Sequence, residues 1–154
     1  MQAWGSNARP GVAPVDFSLY RNECGSCHMA YQPGLLPAYS WEHLMFGLDN
    51  HFGENAELED PERKAILGYL LDHAAGRSNY RVSNKMLRGI RGVPQRISEL
   101  PYFVHEHREI PPRLVSGNPK VRSFSNCNAC HTRAGDGSYD EHQVNIPGYG
   151  RYED

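Results

Sequence analysis

Two five-residue stretches constrain what this chain can fold into: Cys24-Gly25-Ser26-Cys27-His28 and Cys127-Asn128-Ala129-Cys130-His131. Both read C-x-x-C-H, the attachment signature of c-type haem. Thiols three residues apart sit about one helical turn from each other and can form thioether links to the two vinyl groups on one porphyrin edge. The next residue then turns its imidazole to the iron as the proximal ligand. The two copies use all four cysteines of the chain. They predict two covalent haems, the first on Cys24 and Cys27 with His28, the second on Cys127 and Cys130 with His131.

Rival readings of the same cysteines fare worse. A thioredoxin-like C-x-x-C pair expects a strand-helix-strand frame, and neither copy has one. Paired C-x-x-C zinc sites are usually separated by about 15–20 residues, whereas here most of the chain lies between the pairs. Free or disulfide-paired cysteines leave the histidine after each pair unexplained.

Each half of a 154-residue chain buries only a modest core and gains from a staple. Hydrophobic residues make up 39% of the chain, low for a self-sufficient core, and an apolar cofactor supplies part of the deficit. No stretch approaches the roughly 18 apolar residues of a membrane span. Residues 1–14 contain no apolar signal-peptide core. Thioether attachment of haem takes place on the export side of bacterial membranes. The expected compartment is therefore the periplasm, with a leader that lies outside this sequence. Residues 1–76 carry 4 Lys/Arg and 10 Asp/Glu, a charge of −6; residues 77–154 carry 12 and 8, a charge of +4. Opposite charge favours docking of the halves and gives the molecule a dipole.

The patterning is helical. Residues 1–13 read as a loose arm. Phe17, Leu19, Tyr20 and Cys24 suit a short helix running into the first motif, and Pro33-Gly34-Leu35-Leu36-Pro37 a punctuated loop after it. Ser40 is a good N-cap for a helix through about Leu48, with Trp41, Leu44, Met45 and Leu48 on one face. Asp60-Pro61 starts another helix, buried through Ile66, Leu67, Leu70, Leu71 and Ala74 and closed by Gly76. Residues 77–97 carry Arg77, Arg81, Lys85, Arg88, Arg91 and Arg96 and no acid; they read as a basic connection with one helical turn near Lys85–Ile90. Ser98 can cap a helix carrying Leu100, Phe103, Val104 and His107, ended by Pro111-Pro112. The tail from Ala134 wraps the second haem irregularly, and no strand is expected. The predicted architecture is mainly α, with one haem domain over residues 1–76 and a second over residues 77–154.

Helical phase selects the distal ligands. Residues seven apart share a helix face. His51 is seven residues beyond Leu44 and precedes Phe52-Gly53; His107 is seven beyond Leu100, in line with Phe103 and Val104. They are the expected sixth ligands of the first and second irons. Met45, on the same apolar face, competes with His51, and a thioether there would raise the potential. Met86 is an outside candidate for the second iron. His43, His105 and His142 read as solvated, and His73 as a last-turn residue favoured by the helix dipole.

With these residues in hand, the chain resembles the bacterial dihaem cytochrome c family from Phe17 to Gly148. Its carriers are Glu23 to His28, Pro33 to Pro37, His51-Phe52-Gly53-Glu54-Asn55-Ala56, Leu100-Pro101-Tyr102-Phe103 with His107 to Ile110, Ser125 to His131, and Ile146-Pro147-Gly148. The resemblance implies a periplasmic electron carrier with two bis-histidine haems, its residues 1–76 similar to a class I cytochrome c-like helical domain and its residues 77–154 a less regular C-terminal haem-binding domain. It also implies a small, oxygen-binding high-spin cytochrome c as acceptor and a membrane cytochrome b as donor. A monomer is expected, peripheral to the membrane at most. Nucleic acid is not expected as a partner of an acidic periplasmic chain. No catalytic carboxylate pair, nucleophile triad or phosphate loop is visible, so electron transfer leads over a dihaem enzyme or gas-binding protein with one five-coordinate iron.

Overall fold

Pro33, Gly34, Leu35, Leu36 and Pro37 are all buried, and the fold is packed around this short segment. The computed structural model describes residues 9–152. Among them are six α-helices: α1 (Ser18–Cys24), α2 (Ala38–Phe46), α3 (Asp60–His73), α4 (Arg81–Met86), α5 (Pro101–His107) and α6 (Cys127–Cys130). Short 3-10 turns separate them. A minimal antiparallel pair, β1 (Asn145–Ile146) and β2 (Gly150–Arg151), closes the tail where the sequence predicts no strand.

Helix boundaries follow proline more than serine. α2 starts at Ala38 behind an extended Pro37, two residues before the expected cap. Ser40 lies within the helix, fully buried, and its hydroxyl has no partner. Trp41 fixes the entry by donating its indole N–H to the Pro33 carbonyl (2.8 Å). α2 ends before Gly47, so Leu48 belongs to a 3-10 turn. α5 likewise starts at Pro101 behind an extended Leu100, not at Ser98. Proline fixes φ at a helical value and lacks only an N–H that the first turn would leave unpaired. α3 has the same device at Pro61, with Asp60 and Glu62 at the positive end of its dipole. It packs Ile66 and Leu70 inward.

Two expectations are corrected. The helix in the basic segment is Arg81–Met86, earlier than predicted, because Val82, Ser83 and Met86 face inward. Residues 9–13 are not a loose arm, while residues 1–8 lie outside the described residues. Gly11 and Val12 are buried; Val12 N–H donates to the Gly137 carbonyl (3.2 Å), and the Gly11 carbonyl accepts from Val82 N–H (2.9 Å).

One hydrophobic cluster contains Val12, Tyr20, Leu35, Trp41, Ile66 and Leu70 together with Val82, Met86, Leu100 and Phe103, so it draws on both sides of position 76. A smaller cluster of Leu114, Val115, Val121 and Ile146 lies under the tail. Neutral hydrogen bonds tie the two sides. Gln32 donates to the Ala134 carbonyl and accepts from the Tyr139 hydroxyl, both at 2.6 Å, and Tyr31 donates to the Ser125 carbonyl at 2.5 Å. The ion pairs Arg63–Asp60 and Arg133–Asp136 are each local and do not join the oppositely charged halves.

Candidate haem-binding sites

Each C-x-x-C-H sits where the local chain can turn tightly. Cys24 ends α1, and Gly25 N–H closes the turn on the Arg21 carbonyl (3.0 Å). A Cβ at Gly25 would run into that carbonyl oxygen, so the small residue is required there. In the second motif α6 is the motif itself, and His131 N–H closes it on the Cys127 carbonyl (2.8 Å). No cysteine is in a disulfide. Among the described residues no three His, Cys, Asp or Glu side chains converge on one point.

Two apolar cavities open beside the motifs. The first is lined by Cys24, Cys27 and His28 and, from α2 and the chain beyond it, by Met45 and His51. The second is lined by Cys127, Cys130 and His131 and by His107 at the end of α5. Every sequence-predicted site residue therefore lines one of these two cavities. Met45 and Met86 line the first and second respectively, both nearly fully buried. His105 points outward and lines neither haem cavity.

The route that brings His51 to the cavity differs from the predicted one. α2 stops at Phe46, so Leu44 and His51 do not share a helix. His51 instead follows the 3-10 turn Leu48–Asn50 and forms an isolated bridge with Glu54 (N–H to carbonyl 2.6 Å and 3.1 Å). His107 does ride a helix with Phe103, but Val104 is 49% exposed, so the apolar face is narrower than predicted.

Chemistry at the cavities suits axial ligation. Burial, then the nearby His107, pushes the His131 imidazole down to about 4. Burial, then His28 and Arg96, lowers that of His51. Iron needs the neutral imidazole with a free lone pair, and burial secures that form. The His107 and His131 ring centres are 6.2 Å apart. Both rings line the second cavity. His28 Nδ1 lies 2.8 Å from the Met29 carbonyl and His107 Nδ1 2.7 Å from that of Phe103, contacts that orient each ring. Burial also raises the thiols of Cys24 and Cys127 to about 11, which suits apolar surroundings.

Several contacts have no counterpart in the sequence reading. Phe103 stacks on His107 (ring centres 3.8 Å, planes 14° apart), and Phe124 meets both rings edge-on. Tyr31 lies 5.0 Å from His28 and Tyr139 5.2 Å from His131, ring centre to ring centre. Aromatics three and eight residues after the motif histidines were the available signal. Ile97, Phe103, Phe124 and Cys127 line both cavities and form their common wall.

Short helices wrapped on two such cavities, each with a C-x-x-C-H on its wall, define a c-type cytochrome with two haem sites. The family model for dihaem cytochrome c matches residues 20–139. The chain belongs to that family and carries two c-type haems. It is similar to the diheme cytochrome type c from Shewanella baltica OS155, with 45% identity over 88% of this chain and 97% of that one, and a TM-score of 0.75. The diheme cytochrome c from Rhodobacter sphaeroides is 46% identical over 83% of this chain and 100% of that one, with a TM-score of 0.74. The mainly α architecture is shared with both. No curated protein sequence matches the chain.

Proposed function

We propose that this protein carries electrons in the periplasm, with His28 and His51 as axial ligands of the first haem and His131 and His107 of the second. When bound, each haem supplies a ferric/ferrous couple; the chain holds the two at adjoining sites. The wall of Ile97, Phe103, Phe124 and Cys127 common to both cavities carries this reading, because electrons then cross a single layer of side chains. Residues 1–76 and 77–154 act as two stations. Arg96, Gln95 and Ser98 give the first cavity a polar edge suited to haem carboxylates.

A membrane cytochrome b as donor and an oxygen-binding high-spin cytochrome c as acceptor fit this role. Arg81 and Arg88 are exposed and Lys85 is half-exposed over the Tyr102 ring. They offer a basic surface to an acidic partner, and such encounters are steered by charge more than by buried area.

The test is the spin state of each iron. Both should be low-spin in both oxidation states, with low potentials, since two imidazoles favour ferric iron. His51→Ala or His107→Ala should each make one haem high-spin and leave the other unchanged. A thioether charge-transfer band in the ferric spectrum, or a His51→Ala variant with an unaltered spectrum, would assign the first iron to Met45 instead.

A further inference from the structure

The two distal histidines are held very differently. His107 stands on α5, its Nδ1 against the Phe103 carbonyl, with Phe103 stacked on its ring and Phe124 edge-on. His51 stands on a non-helical turn, and its Nδ1 is buried without a hydrogen-bond partner. The residue after it, Phe52, has φ +53, a left-handed conformation that a bulky side chain adopts only under strain. The Phe52 ring, 4.7 Å from the His51 ring, is itself 44% exposed.

A second space adjoins His51. A cleft of ≈ 240 Å³, open to solvent and lined by His43, Gly47, Asp49 and Asn50, meets the first haem cavity at Leu44, His51, Phe52 and Gln95. One water occupies about 30 Å³ in the liquid, so the space takes a five-membered ring with room to spare. His51 forms part of the boundary between the two spaces. Asp49, Asn50 and Gln95 could accept the imidazole N–H that has no partner in the resting position.

We propose that the first haem of this protein is a binding site for small neutral diatomic ligands, opened when His51 leaves the iron and swings into the cleft behind it. The exchange breaks one iron–imidazole bond and forms one iron–ligand bond, with no change of oxidation state. The second haem stays closed because His107 is clamped. This inference rests on the ligation by His51 proposed above.

The experiment is carbon monoxide binding to the reduced holoprotein, followed by absorption. One carbon monoxide should bind per chain, at a rate that rises with ligand concentration and then levels off at the rate of His51 release. Filling the cleft should lower that plateau. Gly47→Leu suits this, because a Cβ there meets only the carbonyl oxygens of His43 and Leu44, at 3.5 and 3.9 Å; Asp49→Leu is a second fill. Overpacking the space that receives the ring should slow the plateau about tenfold or more, with the resting low-spin spectrum unchanged. In His107→Ala a fast-binding haem should appear beside the slow one. No uptake at saturating carbon monoxide, uptake at both haems, or an unchanged plateau in both low-spin fills would overturn the proposal. If His51→Ala left the resting spectrum unaltered, the ligation itself would fall; if it gave a high-spin haem while the parent protein took up no gas, only the exchange would.

Discussion

Gln32 is 1% exposed, and both ends of its amide are used. Its Nε2 donates to the Ala134 carbonyl, and its Oε1 accepts the hydroxyl hydrogen of Tyr139, whose ring leans on His131. This side chain thus joins the loop after the first motif to the loop after the second. Gln32→Leu keeps the approximate volume but strands a buried carbonyl and hydroxyl, at about 1–3 kcal/mol for each group left unmatched. The denaturant midpoint of the holoprotein should fall accordingly. The spectrum of the second haem should change, through Tyr139, more than that of the first. An equal disturbance of both haems would mean that Gln32 supports the fold generally and not the His131 side. Nothing in the sequence distinguishes this glutamine: Tyr-Gln-Pro reads as an ordinary polar loop, and its partners are more than 100 positions away.

The segment of residues 9–13 is held by the Val12 side chain in the core, by Arg9 over the Tyr80 ring and by backbone hydrogen bonds to α4 and to the turn at Gly137. Gly137 has φ +83, and a Cβ there would collide with the Val12 carbonyl oxygen. Gly137→Ala therefore adds left-handed strain to a clash with main chain. It should destabilise the protein by about 1–3 kcal/mol, read as a lower thermal midpoint with both haems still attached. An unchanged midpoint would mean that residues 9–13 contribute no stability. At this scale the sequence is legible where covalent chemistry or proline dictates the answer. The two motifs locate both cavities, and Pro61 marks the start of α3 correctly. Ser40 and Ser98 mislead because a proline nearby already starts the helix. His51 teaches a different lesson: it lines the cavity, but not through the seven-residue helical phase that singled it out, since α2 stops short of it. The Phe103–His107–Phe124 stack needs tertiary proximity between residues 103 and 124, which no local pattern contains.

Across the whole molecule, the −6 and +4 halves are joined by a shared core and neutral hydrogen bonds, while Arg77, Arg81, Arg88 and Arg91 stay exposed. Cations that are not consumed in joining the halves can steer an acidic partner. If they do, the second-order rate of electron transfer should fall steeply with added salt, since screening shortens to about 8 Å at 0.15 M. Replacing Arg81, Lys85 and Arg88 together with Gln should lower that rate at low salt and flatten its salt dependence, leaving spectra and potentials in place. A retained salt slope with shifted potentials would assign these side chains to the haems, and the docking surface would lie elsewhere.

The wall of Ile97, Phe103, Phe124 and Cys127 also limits how independently the two haems can titrate. It contains no charged side chain, so a charge gained at one iron is weakly screened at the other. Reducing either site makes the next electron harder to add. A potentiometric titration should therefore give two waves whose midpoints belong to the pair rather than to either haem. The spacing between them should narrow when Phe103 is replaced by a polar residue that admits water. The first electron then settles wherever the pair as a whole is most stable, and the protein behaves as a single two-electron store with unequal steps.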